Sequence, residues 1–242
     1  GLFQQMEAEG VFAGAAAVER WKLWLTLDEA AFEAEIDVHW RPIRQVEPAF
    51  WRDARVNAPN QPVVGVCWYE ARAYCRWLSA QAGIAFSLPT EVQWEAAMRG
   101  SQASTYPWGE DFGPTRANTY LTRIRRTTPV GVFPDGDSAS GVTDGAGNVE
   151  EWTSSLWEPQ GDVNDAPPAF GYPYAPDDGR ENVDAPPSMG RVVRGGAWSS
   201  GHLVARAVCR NGLRPNYRYL DQGFRLVTSA PSSPAPPAGG TA

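Results

Sequence analysis

The chain is 242 residues long, 43% hydrophobic, 12% aromatic and 20% charged, with a formal net charge of −7. That length can bury a sizeable core without covalent staples, and the acidic balance excludes nucleic acid as a partner, because phosphate neutralisation needs a clustered basic surface. The three cysteines, Cys67, Cys75 and Cys209, are an odd number with no paired spacing, which excludes a disulfide framework or a four-thiolate zinc site and makes a reducing, cytoplasmic setting the default expectation.

No apolar run approaches the roughly 20 residues that span a membrane, and no charged and apolar leader is visible. The first residue is Gly1 rather than Met, so the sequence is silent on what precedes it. Residues 1–19 read as an N-terminal extension. From Trp21, alternation of Trp21, Leu23 and Leu25 with Lys22, Trp24 and Thr26 predicts a short strand, after which Asp28 caps a helix presenting Ala31, Phe32 and Ile36. A second helix is expected over 69–82, with Ala71, Tyr74, Cys75 and Leu78 on one face and Gly83 as its stop. A third opens with a capping box in which Thr90 and Gln93 exchange hydrogen bonds, turns Trp94 and Ala97 inward, and ends near Gly100.

Beyond Gly100 the punctuation by Gly, Pro, Asp and Asn predicts loops and short strands. Residues 159–190 are dense in Pro, Gly and Asp and are expected to form a long excursion too polar for the core. Val192-Val193 begins a strand, and Gly223-Phe-Arg-Leu-Val227 ends one. The tail over 229–242 is rich in Pro, Ser and Ala and is expected not to pack. Eleven tryptophans suit rigid, irregular packing around few regular elements.

Seven short words then occur in order: Pro62-Val-Val-Gly-Val-Cys-Trp68 with Glu70-Ala71, Leu88-Pro-Thr-Glu91 with Trp94-Glu95 and Arg99-Gly100, Tyr106-Pro-Trp-Gly109, Thr128-Pro-Val-Gly131, Gly147-Asn-Val149 with Glu151-Trp152, Arg194-Gly-Gly-Ala-Trp198, and Gly223-Phe-Arg225. In these the chain resembles the formylglycine-generating, sulfatase-modifying-factor family over roughly residues 20–228. The resemblance implies an α+β, C-type-lectin-like fold with short mixed sheets, two to three helices and much irregular chain.

The enzymes of that family carry one reactive cysteine two residues after the Gly-Gly-Ala-Trp word and another five further on, which bind copper together. Here Ser200 and Ala205 stand there, and neither a hydroxyl nor a methyl supplies the thiolate that copper(I) selects. Iron-binding relatives need clustered histidines, whereas this chain has His39 and His202, far apart. The expectation is therefore a protein that is not an enzyme and uses neither copper nor iron. His39 reads as a strand or core residue and His202 as an exposed loop residue. Glu150 and Glu151, adjacent on a strand, point to opposite faces and make no acid/base pair. The resemblance also implies a structural calcium ion on the turn before Glu-Trp, with Asp144 and Glu151 giving side-chain oxygens and Gly147 and Val149 giving carbonyls, a hard-oxygen set suited to that ion. At a second family site Asn118 matches, but Thr122 replaces the carboxylate.

Between the last two words, residues 199–222 have neither a period of 2 nor one of 3.6. Their placement resembles the variable region of diversity-generating retroelement proteins, which carry this domain and rewrite the adenines of Asn codons, so that Glu, Lys, Gln, Met and Trp cannot arise. The sixteen candidate positions, 199–204, 209, 211–214, 216, 217 and 219–221, contain none of the five; ordinary composition produces such an absence roughly a few per cent of the time. The expected binding residues are Ser199, Ser200, His202, Leu203, Val204, Asn211, Leu213, Arg214, Asn216, Tyr217, Tyr219, Leu220 and Asp221. Stiff tyrosines, apolar patches from the leucines and Val204, and adaptable Ser and Asn hydrogen bonds make a paratope-like composition. Ala205, Arg206, Ala207, Arg210, Pro215 and Arg218 are expected to be the fixed frame, the arginines bonding loop carbonyls. The reading that follows is a variable binding protein whose partner is a protein or cell-surface ligand; the alternative is a sulfatase-modifying-factor-like domain with another regulatory or enzymatic role.

Overall fold

In the computed structural model the described residues are 19, 22–23, 26–28, 30–31, 46–159 and 170–228. The chain divides into two compact units, 1–46 and 47–242. In the first, Lys22 and Leu23 are helical rather than extended as their alternation predicts. The Lys22 ammonium reaches Glu19 three residues back at 2.9 Å, and the Thr26 amide closes a turn onto the Leu23 carbonyl; such i, i+3 contacts belong to helical backbone. Asp28 does cap as expected, its Oδ1 accepting the Ala31 amide at 2.9 Å. The rest of that strand and helix, Phe32, Ile36 and His39 among them, lies outside the described residues, as does the tail after Thr228.

In the second unit helix α1, Trp68–Ala82, begins where the Glu70 carboxylate reaches back to the Cys67 amide at 2.8 Å, satisfying one of the donors a helix start leaves open. It ends as expected at Gly83, whose amide bonds the Ser79 carbonyl. Its inner face is Trp68, Ala71 and Cys75, packed with Leu88, Trp152 and Val193. Tyr74, expected on that face, is instead exposed and lies edge-on to Phe224, and Leu78 is only half-buried. Helix α2, Glu91–Arg99, has the predicted Thr90/Gln93 capping box and buries Glu91, Trp94 and Met98, with Ala97 half-buried. None of the described helices is long and apolar enough to cross a membrane.

The main sheet has the order β4-β3-β2-β5, from β2 (Glu150–Pro159), β3 (Met189–Arg194), β4 (Asn211–Leu213) and β5 (Gln222–Phe224). Strands β2 and β3 are antiparallel, with Trp152 opposite Val193; β2 and β5 are parallel, with Glu150 opposite Gln222. A second small sheet pairs β1 (Phe86–Ser87) with β6 (Val227–Thr228). The expected single strand over 223–227 is therefore two strands in two sheets. Arg225 between them turns its guanidinium onto Glu151, which takes the chain off the first sheet. Two indoles tie α1 and the segment leading into it to β2: Trp68 Nε1 donates to the Thr153 carbonyl at 2.8 Å, and Trp152 Nε1 to the Val66 carbonyl at 3.0 Å. Both rings are almost fully buried. The mixed α+β architecture with short sheets is the expected fold class.

The polar excursion contributes to the interior, contrary to expectation. Arg180 is 1% exposed and donates to Glu91, Asp178 and the Gly171 carbonyl, while its guanidinium faces the Tyr174 ring at 4.6 Å. Val183 packs on the core around Trp152. A buried guanidinium is tolerable when its donors are met in this way.

Candidate functional site

Strands β3 and β5 deliver the two ends of the 199–221 segment to neighbouring positions beside β2, and four ion pairs hold it and its flanks. Arg210 grips Glu91 with Nε and Nη2 at 2.8 and 2.9 Å; Arg218 grips Glu70 with Nε and Nη2 at 3.0 and 2.8 Å. Arg194 reaches Glu95 and the Ala207 carbonyl, and Arg225 forks onto Glu151. Paired N–H bonds to a carboxylate are geometrically selective as well as strong. The frame arginines thus act mainly on helix carboxylates rather than on loop carbonyls as expected, although Arg206 does bond the Leu203 carbonyl at 2.9 Å. Pro215 is buried, and its carbonyl accepts the Trp68 amide at the start of α1. Ala205 and Ala207 are fully buried.

The thirteen expected binding residues are distributed differently, and none of them is buried. Ser199, Leu203, Val204, Asn211, Arg214, Asn216, Tyr217 and Tyr219 are exposed; Ser200, His202, Leu213, Leu220 and Asp221 are half-buried. The Tyr217 and Tyr219 rings meet edge to face at 5.5 Å. Ser199 donates its hydroxyl to Asp221, 22 residues on. The Asp221 carbonyl accepts the Glu150 amide at 2.9 Å, and the Glu150 carboxylate accepts from Asn211 at 3.1 Å. Those bonds link Ser199 and Asp221, at the two ends of the segment, to each other, and Asp221 and Asn211 to Glu150 on β2. Leu213 and Leu220 depart from the expected apolar patch: they pack on the Trp152 cluster and the Val64 cluster respectively. His202 is not an open loop residue either, since its ring lies 5.1 Å from that of Phe112. Of the two glycines among the sixteen positions, Gly201 faces open space, whereas a methyl group on Gly212 would meet the Trp157 ring at 2.1 Å.

Glu150 is the residue that sequence reasoning passed over. It and Glu151 do face opposite ways, but burial, with the Asp221 charge adding to it against the Asn211 hydrogen bond, pushes the Glu150 carboxyl up to about 7. Only the register of β2 against β5 brings Asp221 near it, and no local spacing announces that.

The positions of the missing cysteines are firmly built. Ser200 Oγ accepts the Ala197 amide at 3.1 Å, and Ala205 is sealed against Ala117 and Ala146. Cys67 and Cys75 are buried, and burial raises both thiols above their ordinary range, away from the reactive thiolate. On the turn read as a calcium site, Asp144 Oδ2 accepts the Gly131 amide at 2.7 Å, while Glu151 accepts from Trp94 Nε1 at 2.7 Å and from Arg225. The same Arg225 Nη2 reaches the Thr143 and Asp144 carbonyls at 3.2 and 3.4 Å. A guanidinium thus already neutralises Glu151, and the Asp144 carboxylate is committed to Gly131, so both side-chain oxygens of the expected calcium set are engaged within the protein. Gly147 has a separate reason to be glycine: its φ is +74°, and a methyl group there would lie 2.2 Å from the Asn118 carbonyl oxygen. Asn118 and Thr122 bond each other at 3.1 Å.

The family model for the sulfatase-modifying factor enzyme 1-like domain matches residues 12–230. A mouse protein described as inactive C-alpha-formylglycine-generating enzyme 2 is 31% identical over 80% of this chain and 58% of its own length. The hercynine oxygenase of Mycolicibacterium thermoresistibile is 35% identical over 70% of this chain and 36% of its own length. The chain therefore spans between about a third and three fifths of these relatives. Among solved structures, Treponema denticola variable protein 1 superposes with a TM-score of 0.55 at 23% identity, covering 69% of this chain and 70% of that one, a likeness of fold.

Proposed function

From the premise that the chain belongs to the sulfatase-modifying factor enzyme 1-like domain family, we propose that it is a non-catalytic binding protein of the diversity-generating retroelement type, recognising a protein or cell-surface target through the 199–221 segment. One observation carries this reading. The division of that segment made on codon grounds coincides with a physical one: no candidate variable position is buried, whereas Ala205, Ala207 and Pro215 are, and Arg210 and Arg218 are tied to helix carboxylates. A surface that must accept many sequences needs its variable side chains off the core and its backbone held elsewhere, which also limits the ordering cost on binding. Gly212 is the exception, because Trp157 leaves no room there.

The experiment is genomic. A near-identical template repeat with Asn codons at the candidate positions, beside a reverse-transcriptase gene, is the expected finding; a neighbourhood with neither ends the display reading. A second reading, a regulatory family member with an ordinary divergent loop, draws on the 31% identity to a relative described as inactive, and it would then stand. An oxidase is the outcome disfavoured by Ser200 and Ala205. Copper titration with a thiol-peptide oxidation assay is expected to give neither binding nor turnover, and either would reverse that part of the proposal.

A further inference from the structure

The Tyr106-Pro-Trp-Gly109 word lies outside the variable segment, yet it builds a cavity against it. Tyr106 and Gly109 exchange both backbone hydrogen bonds, at 2.8 and 3.1 Å, closing a tight turn that projects Trp108. The indole is then fixed on both counts: its ring stacks on that of the buried Tyr106 at 5.3 Å and 8°, and its Nε1 donates to the Asp111 carbonyl at 2.9 Å. Phe112 lies 6.4 Å from Trp108 and 5.1 Å from His202, and the Tyr106 hydroxyl reaches the His202 carbonyl at 3.3 Å. Beside Trp108 and Phe112 opens a cleft of about 380 Å³ lined by these two rings with Glu110, Asp111, Gly113 and Arg116, and of that lining it is Phe112 that meets a variable position, at His202.

The charges in that lining are unevenly committed. Glu110 accepts from the Thr105 amide and hydroxyl. Arg116 donates to the Asp135 carbonyl at 3.3 Å, and its stem runs close over Gly113, where a methyl group would come within 2.9 Å of Cδ. The Asp111 carboxylate is exposed, and no described residue donates to it. Two aromatic rings beside an uncommitted carboxylate, with Glu110 and Asp111 together outweighing the one Arg116 guanidinium in the lining, are complementary to a planar cation. The ring faces attract it through their quadrupoles, and a carboxylate takes a guanidinium fork. We propose that this cavity is a constant anchor site for an arginine side chain of the protein target, placed next to His202 so that the variable loop reads the residues around that arginine. The identity of the partner as a protein rests on the display reading; the cavity's preference for a guanidinium does not.

The test follows the Trp108 indole N–H in nitrogen-15 spectra of the full chain, the signal being assigned by its loss in Trp108→Phe. Nα-acetyl-arginine amide is titrated beside its neutral isostere, Nα-acetyl-citrulline amide. The expected result is a saturable shift with the arginine probe and at least threefold weaker binding of citrulline. Asp111→Asn is expected to bring arginine down to the citrulline level while the remaining indole signals stay in place. A Trp108 signal that does not move, equal response to both probes, or arginine binding untouched by Asp111→Asn overturns the site. Arginine binding without a template repeat leaves the anchor standing and the display reading fallen; a template repeat without arginine binding does the reverse.

Discussion

Arg210, in the middle of the surface segment, closes on Glu91 in the first turn of α2, and the same carboxylate also receives Arg180 at 3.0 Å. Glu91 and Arg180 are each within 1% of full burial. One buried carboxylate therefore ties the recognition segment, a helix start and the Pro-rich excursion together, and that helix start also suits a negative charge. Breaking a buried pair by removing one partner leaves the others uncompensated, at about 3–5 kcal/mol. Glu91→Gln is expected to destabilise the fold by that order, read as a lower urea midpoint at unchanged slope. A loss below about 1 kcal/mol would mean that the two guanidinium groups are satisfied without Glu91.

The division between display and frame makes a contrast in stability. Replacing Leu203, Asn216, Tyr217 and Tyr219 together by serine removes exposed side chains and is expected to change stability by no more than about 1–2 kcal/mol in sum, since surface substitutions usually fall within about 0.5 kcal/mol each. Ala205→Leu forces three extra carbons into a filled site between Ala117 and Ala146 and is expected to cost about 1–3 kcal/mol or more by itself. Thermal melting of the two variants checks the order. A quadruple variant that melts well below Ala205→Leu would show the exposed residues to be structural.

Where the sequence was legible, the signals were local. The Thr90/Gln93 box, the Gly83 stop and the inward Trp94 depend on neighbours within four residues, and the structure has all three. The ordered words were legible because they are packing words: Asn148, for instance, holds Thr128 through a 2.9 Å bond from its amide and returns one to its carbonyl. Arg180 was illegible because its partner is 89 residues away and its own neighbourhood has no period. Leu213 and Leu220 misled for the related reason that an irregular loop gives no face to assign, and their direction is set by clusters built from distant strands. The raised Glu150 carboxyl needed the parallel register of β2 with β5, and periodicity carries no information about that.

Calcium on the Asp144–Glu151 turn would have to displace Arg225, whose guanidinium bonds the Glu151 carboxylate and, at the start of the turn, the Thr143 and Asp144 carbonyls. Anything that binds the native state stabilises it by mass action, about 2.7 kcal/mol at a hundred times the dissociation constant. Competition from Arg225 predicts no such gain: the melting midpoint in millimolar calcium is expected to match that in chelator. A rise of several degrees with calcium would show that the ion takes the turn and Arg225 yields.

Glu150 gives the molecule a pH dependence whose sign is fixed. Its folded-state value near 7 lies above the ordinary 4.5, so between those values the native state holds a proton that the unfolded chain has released, and stability falls as pH rises through that window. The shift sets an upper bound of about 3 kcal/mol, lost between roughly pH 4.5 and 7 and constant above. The opposing carboxylates do not mask it: Asp53 and Asp178 are held low by their arginines, and what they contribute is lost below that window. Asp144, raised by burial, adds in the same direction, so the measurement is the difference between the parent chain and Glu150→Gln, which keeps an acceptor for Asn211. Urea unfolding at pH 5, 6, 7 and 8 is expected to show the variant gaining on the parent as pH rises, by up to about 3 kcal/mol at pH 8. Parallel pH profiles for the two proteins would place the Glu150 carboxylate in ordinary solvent, away from Asp221 and Asn211.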